Sequence, residues 1–281
     1  MHKDGKWAKA IIALQEEDGK WGYFHSLSQF YNSTITTEQA LRRLERLGFT
    51  EKDECIQRAL TYMNDCLTGK NKIPDREEKV HDWSIFTSLI LSTQIRRFTG
   101  KNEQANIVAA KWAKIITEAF KSGIYDHAAY VAAYHETLGM KPDGGRLIDF
   151  MNFYPVSLVA GCLDGYTEKA LVKYALSKED GIYYIYDKPL NILPESFQSK
   201  QAVRYLSAIE LLSKFKFAVS DLDFVRSWLT QNQSPDGAWD MGQEANDKIH
   251  FPLSDDWRKK ENRVKDCTEY IKTLIEALEN S

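Results

Sequence analysis

Cysteine is scarce in this chain. Four occur among 281 residues, Cys55, Cys66, Cys162 and Cys267, and none forms a C-x-x-C pair. That excludes a zinc ribbon or a thioredoxin-type dithiol. Cys55 and Cys66, placed on one expected helix, would lie about 16 Å apart, too far for a disulfide. The four are expected to be buried thiols. Long apolar runs are also missing: stretches such as Ile11-Ile12-Ala13-Leu14 fall far short of the roughly 20 residues that span a bilayer. Met1-His2-Lys3-Asp4-Gly5 leads into a charged amphipathic segment with no secretory h-region, so a cytoplasmic location is expected. Charge of one sign is lacking too. Lys plus Arg number 37 against 40 Asp plus Glu, a net charge of -3, so nucleic acid is not an expected partner. What is present in quantity is core-forming side chain: 43% of residues are hydrophobic and 27% charged, the balance of a folded globular protein.

The organising feature is a repeat. Gln15-Glu16-Glu17-Asp18-Gly19-Lys20-Trp21 and Gln233-Ser234-Pro235-Asp236-Gly237-Ala238-Trp239 share Gln four before Gly and Trp two after it. Asp180-Gly181-Ile182-Tyr183 and Gly123-Ile124-Tyr125 are weaker copies, and Gly69 occupies the place of one more. The glycines at 19, 69, 123, 181 and 237 are 50, 54, 58 and 56 residues apart, room for two helices and their connections. Thr36-x-x-Gln39 forms a capping box ahead of Ala40, Leu41, Leu44 and Leu47, and Ile56, Ala59, Leu60, Met63 and Leu67 stripe the next helix. Further pairs are expected near 82–98 with 103–121, 126–138 with 167–178, and 200–214 with 221–232. A last helix near 263–279 has no partner after it, and a first near 5–16 has none before it. Pairing these ends closes the array. The expected fold is all-α, an α/α toroid of five or six helical hairpins in a single domain over 1–281. Residues 139–166, with the turn Lys141-Pro142-Asp143-Gly144-Gly145, read as an extra hairpin or a lid.

The Gln-x-x-x-Gly-x-Trp spacing resembles the QW motif of terpenoid cyclases and the repeat of protein prenyltransferases. Trp228 and Leu229 match that motif's upstream aromatic and Leu, Lys6 its basic position, and Ala10 and Ile11 match loosely. The resemblance implies helices around a mostly apolar cavity, with Gln15, Trp21, Gln233 and Trp239 as scaffold. The catalytic motifs of those families are absent. Asp221-Leu222-Asp223 runs into Phe224 instead of completing Asp-x-Asp-Asp, and Asp255-Asp256 runs into Trp257-Arg258-Lys259 instead of Asp-Asp-x-x-Asp. Asp53-Glu54-Cys55 has the spacing of a zinc pair but opens an expected helix, where first-turn acids favour the dipole; Asp266 and Cys267 are adjacent and diverge. No metal and no cofactor are expected.

In such a ring every helix after a Gly-x-Trp turn starts at the same mouth, with its positive dipole end inward. The candidate ligand-binding residues are the polar groups at those starts: Glu38 and Arg42; His81, Asp82 and Trp83; Asp126, His127 and Tyr130; Lys200 and Arg204; Arg263 and Asp266. Asp82 and Asp126 also suit N-caps, Arg204 and Arg263 surface ion pairs, and Trp83 the core. His127, Tyr130 and Tyr134 are expected on one helix face. Three functions fit: a divergent cyclase- or prenyltransferase-like protein holding an apolar, isoprenoid-like ligand; a carbohydrate-active α/α barrel, a glycoside hydrolase or polysaccharide lyase using paired carboxylates or a Tyr/His base; and a ring-shaped interaction module without catalysis. Residues 70–79 read as a solvated loop and 242–261 as a connection folding over the mouth. Asn32-Ser33-Thr34 and Asn232-Gln233-Ser234 are chance glycosylation matches.

Overall fold

A computed structural model describes residues 2–25, 35–139 and 147–279; the Asn32-Ser33-Thr34 match and the 141–145 turn lie outside the described residues. Among these residues the chain is all-helical, with eleven α-helices and no strand. They are α1 (Lys6–Ile12), α2 (Thr37–Arg46), α3 (Glu54–Leu67), α4 (Trp83–Phe98), α5 (Glu103–Ala119), α6 (His127–Leu138), α7 (Phe153–Val159), α8 (Gly165–Ser177), α9 (Lys200–Leu212), α10 (Asp223–Gln231) and α11 (Lys260–Glu279). Short 3₁₀ segments cover Lys216–Leu222 and Gln243–Ala245. None of the helices is long and apolar enough to cross a membrane.

Local chemistry sets the helix starts. Thr36 and Gln39 form the reciprocal capping box ahead of α2, and Asp82, Asn102, Asp126, Asp164 and Ser199 each accept a first-turn N–H. Such caps contribute about 1 kcal/mol apiece. Sequential helices pack in turn, α3 on α4, α4 on α5 and α5 on α6, while α7 lies across α4 and α5. α7 is the element within the irregular 139–166 stretch, and each of its seven residues is buried.

The two strong repeats share one hydrogen-bond pattern. Gln15 Nε2 donates to Gly19 O at 2.9 Å and Gln233 Nε2 to Gly237 O at 3.0 Å. The indole of Trp21 donates to Ile11 O at 2.8 Å and that of Trp239 to Leu229 O at 2.7 Å. The backbone N–H groups of Trp21 and Trp239 each donate to a threonine on a neighbouring helix, Thr37 at 2.9 Å and Thr268 at 3.0 Å. Gln15 also reaches Cys55 O at 2.8 Å, joining the first turn to the start of α3. All five spaced glycines have positive φ, and each donates its N–H to the carbonyl three residues back. The third copy differs. Lacking the Gln, it closes on itself through Ile182 and Tyr186, and Tyr183 is 60% exposed where the tryptophans are buried.

Residues 2–7 touch the stretch 254–269. Lys6 N–H donates to Asp255 Oδ1 at 2.8 Å, the Trp7 indole donates to Ser254 O at 3.1 Å, and His2 Nε2 lies 3.7 Å from Glu269 on α11. The apolar core is one cluster that includes Ala8 near one end and Leu278 near the other. Two expectations are corrected. Within 70–79, Asp75 is buried and its carboxylate accepts the N–H groups of Phe24 and His25 at 2.6 and 2.8 Å, so that loop is tied down rather than simply solvated. Among the thiols, Cys55 and Cys267 are buried but Cys66 and Cys162 are only half-buried.

Candidate functional site

Four adjoining cavities share their walls. Arg46 and Glu210, joined as an ion pair, line three of them, and His250 also lines three. The smallest, about 30 Å³, lies between Arg42, Arg46, Arg97, Phe153, Ser207, Glu210, Lys214 and His250. A cavity of about 320 Å³ opens beside it, sharing Arg42, Ile249 and His250 and adding Tyr183, Tyr184, Asp187, Arg204 and Asp247. Others of about 190 and 300 Å³ lie toward Tyr270 and Thr273. Residues of the 242–261 connection thus form part of the walls. The connection is held by Arg43, which donates to the carbonyls of His250 and Pro252, and by Asp266, which accepts from Leu253 and Ser254 N–H at 3.0 and 2.7 Å.

The wall around the smallest cavity is cationic. Arg46 pairs with Glu210 and Arg97 with Glu45. Among the described residues Arg42 has neither a hydrogen bond nor a salt-bridge partner; its guanidinium stacks 4.8 Å from the Phe153 ring. Burial pushes its pKa down, Glu38 opposes this, and the charge of Arg97 adds to the fall. Arg97 covers the same ring at 5.1 Å, so two guanidinium planes share one aromatic, each such contact contributing about 0.5–2 kcal/mol.

Beside Arg42 is a buried acid network. Tyr154 Oη donates to Glu38 Oε2 at 2.6 Å and His25 Nδ1 lies 3.0 Å from the same oxygen. Burial would lift the Glu38 pKa, but the His25 hydrogen bond and the charge of Arg42 hold it below the ordinary carboxylate value. Burial would lower His25, and the bond to Glu38 outweighs it, so His25 is raised. The His25 ring packs edge-on against Phe86, Tyr154 and Tyr184 at 5.4 to 5.8 Å. Tyr184 has φ of 70°, the left-handed region that disfavours a non-glycine residue, and such strain is found mostly at sites of function.

The expected mouth residues divide. Glu38 and Arg42 belong to this region, and Arg204 lines the large cavity. His81 and Trp83 pack on Phe86, 5.4 and 6.0 Å between ring centres, one ring away from His25. Lys200 begins α9 and lines none of these cavities. The rest serve the scaffold. Asp82 and Asp126 are N-caps. His127 is exposed and bonds Tyr125, off the buried face of Tyr130 and Tyr134. Tyr130 is buried with its hydroxyl on Ile148 O at 2.6 Å. Arg263 forms a two-pronged pair with Asp240 at 2.6 and 2.9 Å, and Asp266 is the loop anchor already described. Sequence reasoning missed His25, Arg97, Glu210, Ser207 and Asp247, while His250 lies in the 242–261 connection that it had singled out. Asp247-x-x-His250, a short acid–imidazole spacing in a polar connection, was the one local signal available. Among the described residues no group of three or more His, Cys, Asp or Glu side chains is placed to hold a metal ion.

No family model, curated protein or solved structure matches this chain.

Proposed function

We propose that the chain is an α/α toroid of the kind its repeat resembles, and that the hollow among its helices binds a small ligand through an anionic group. Three observations support the ring: the repeated Gln and Trp hydrogen bonds, the order of helix packing, and the contact of residues 2–7 with 254–269.

The observation that carries the ligand reading is Arg42, a guanidinium with no hydrogen-bond or salt-bridge partner among the described residues, which faces two adjoining cavities. A charge removed from water and left unpaired is costly. A carboxylate or phosphate of a ligand would complete it, as two-pronged guanidinium pairs do. Lys214, lining the smallest cavity with no salt-bridge partner among the described residues, adds a second positive charge. The mostly apolar cavity that the resemblance implies suits these walls less well. An apolar or sugar body has its place against Phe153, Tyr183 and Tyr184, so the isoprenoid and carbohydrate readings survive as the body of an anionic ligand: a prenyl diphosphate or an acidic sugar.

Calorimetric titration tests this with inorganic diphosphate, farnesyl diphosphate, a glucuronate disaccharide and neutral farnesol. At least one anion should bind, and Arg42→Gln should weaken it about 10- to 100-fold, the worth of a charged hydrogen bond. Farnesol binding as tightly as its diphosphate, or anion affinity unchanged in Arg42→Gln, would overturn the proposal.

A further inference from the structure

Three side chains from two distant stretches meet at the smallest cavity. Ser207 Oγ, on α9, lies 2.8 Å from His250 Nε2, and His250 Nδ1 lies 2.6 Å from Asp247 Oδ2. The other oxygen of Asp247 accepts the N–H groups of Ile249, His250 and Phe251 at 3.0, 2.8 and 3.2 Å. The carboxylate is therefore fixed by the backbone before it touches the ring.

Protons can be assigned from this. An ionised aspartate only accepts, so Nδ1 carries the imidazole proton and Nε2 is left as an acceptor. The Ser207 hydroxyl is placed to donate to it. It has a competing acceptor in Val203 O at 2.9 Å, the usual back-bond of a helical serine. Burial pushes His250 down and keeps it neutral, while the His250 hydrogen bond holds Asp247 ionised against its own burial. A neutral imidazole with a free acceptor nitrogen is the state a general base requires.

Ser207 and His250 line a space of about 30 Å³, room for about one water. His250 also lines the 320 Å³ cavity next to it. Arg42, Arg46, Arg97 and Lys214 stand around the same small space, a positive field for negative charge that develops on a carbonyl oxygen.

We propose that Ser207, His250 and Asp247 form a nucleophile, base and orienting-acid relay that hydrolyses an ester with an anionic group on its acyl or alcohol part. The Ser207 Oγ lone pair attacks the carbonyl carbon while its proton passes to His250 Nε2, and the carbonyl π pair moves onto oxygen. Collapse expels the alkoxide, which takes the proton from His250. Water then attacks the acyl–serine, giving its proton to His250, and Ser207 leaves and is reprotonated. The balance is ester plus water giving acid plus alcohol. The substrate's charge rests on the anion-binding reading above; the relay itself does not.

The full chain is treated with a fluorophosphonate, and hydrolysis of neutral 4-nitrophenyl acetate and anionic 4-nitrophenyl hemisuccinate is followed. We expect one adduct per chain, mapped to Ser207, absent from Ser207→Ala, with turnover lowered at least roughly 100-fold in Ser207→Ala and Asp247→Asn. Circular dichroism shows whether each variant is folded, and the wild-type adduct site decides the matter without them. No adduct, or an adduct that survives Ser207→Ala, overturns the relay and leaves these residues a strap tying 247–251 to α9. Serine-dependent turnover with no preference for the hemisuccinate keeps the relay and overturns the anionic substrate.

Discussion

At Glu38 one carboxylate oxygen receives both Tyr154 and His25, and the two ionisable partners respond to pH in opposite ways. His25 is raised above its ordinary 6.5, so its stabilisation is complete below that value and is lost as pH climbs through the folded value. Glu38 is depressed below 4.5, so its share is complete above that and is lost as pH falls through its folded value. The pair is therefore strongest at about pH 5.5. Replacing His25 by Gln should cost about 2 kcal/mol there, and the gap to wild type should shrink as pH climbs above 6.5. His250, depressed by burial, opposes folding in acid, but both proteins carry it and it cancels from the difference. Thermal unfolding across that range is the measurement; a gap that widens with pH would refute the assignment. Of this network only Glu38 and Arg42 could be picked from sequence, because they open a helix with a recognisable cap. His25 and Tyr154 are 129 positions apart, and neither belongs to a periodic stripe.

Among the elements, the two repeat turns make alike hydrogen bonds but have different surroundings. A Cβ on Gly19 would sit 2.5 Å from the carbonyl oxygen of Arg58 on α3, backbone that cannot swing aside. A Cβ on Gly237 would meet nothing nearer than Gln233 Nε2 at 3.7 Å. Both have positive φ, so alanine costs about 1–2 kcal/mol at either turn from conformation alone. Gly19→Ala should cost clearly more, since α3 must also shift. Urea unfolding of the two variants checks this, and equal losses would mean that the first turn does not bear on α3 as drawn. The turns were legible because Gln, Gly and Trp each have a fixed geometric duty. α7 was not: a seven-residue helix buried on all sides has no polar face, so no period marks it. Tyr183 misled for a related reason. Without the Gln that folds the turn, the aromatic at the same offset turns out to the cavity mouth.

For the whole molecule, the period of about 54 residues made the pairing of α4 with α5 legible, but the chamber depended on contacts between segments some 200 positions apart. Arg43 holding the carbonyls of 250 and 252 is one such contact. No spacing rule reports it, because the hydrogen bond runs from a side chain to backbone of an irregular stretch. The same is true of the contact of residues 6–7 with 254–255, where Trp7 donates to Ser254 O and Asp255 accepts from Lys6 N–H. If those contacts close a ring, α1 braces the segment that Asp266 ties to α11, and loosening one end must loosen the other. Trp7→Ala removes that hydrogen bond together with a half-buried indole, a loss of about 2–4 kcal/mol. Hydrogen exchange should then quicken in α1 and, equally, in amides of 253–267, with α5 and α6 unchanged. Faster exchange confined to α1 would mean that the first helix is an appendage, and the ring would have to be redrawn as an open array.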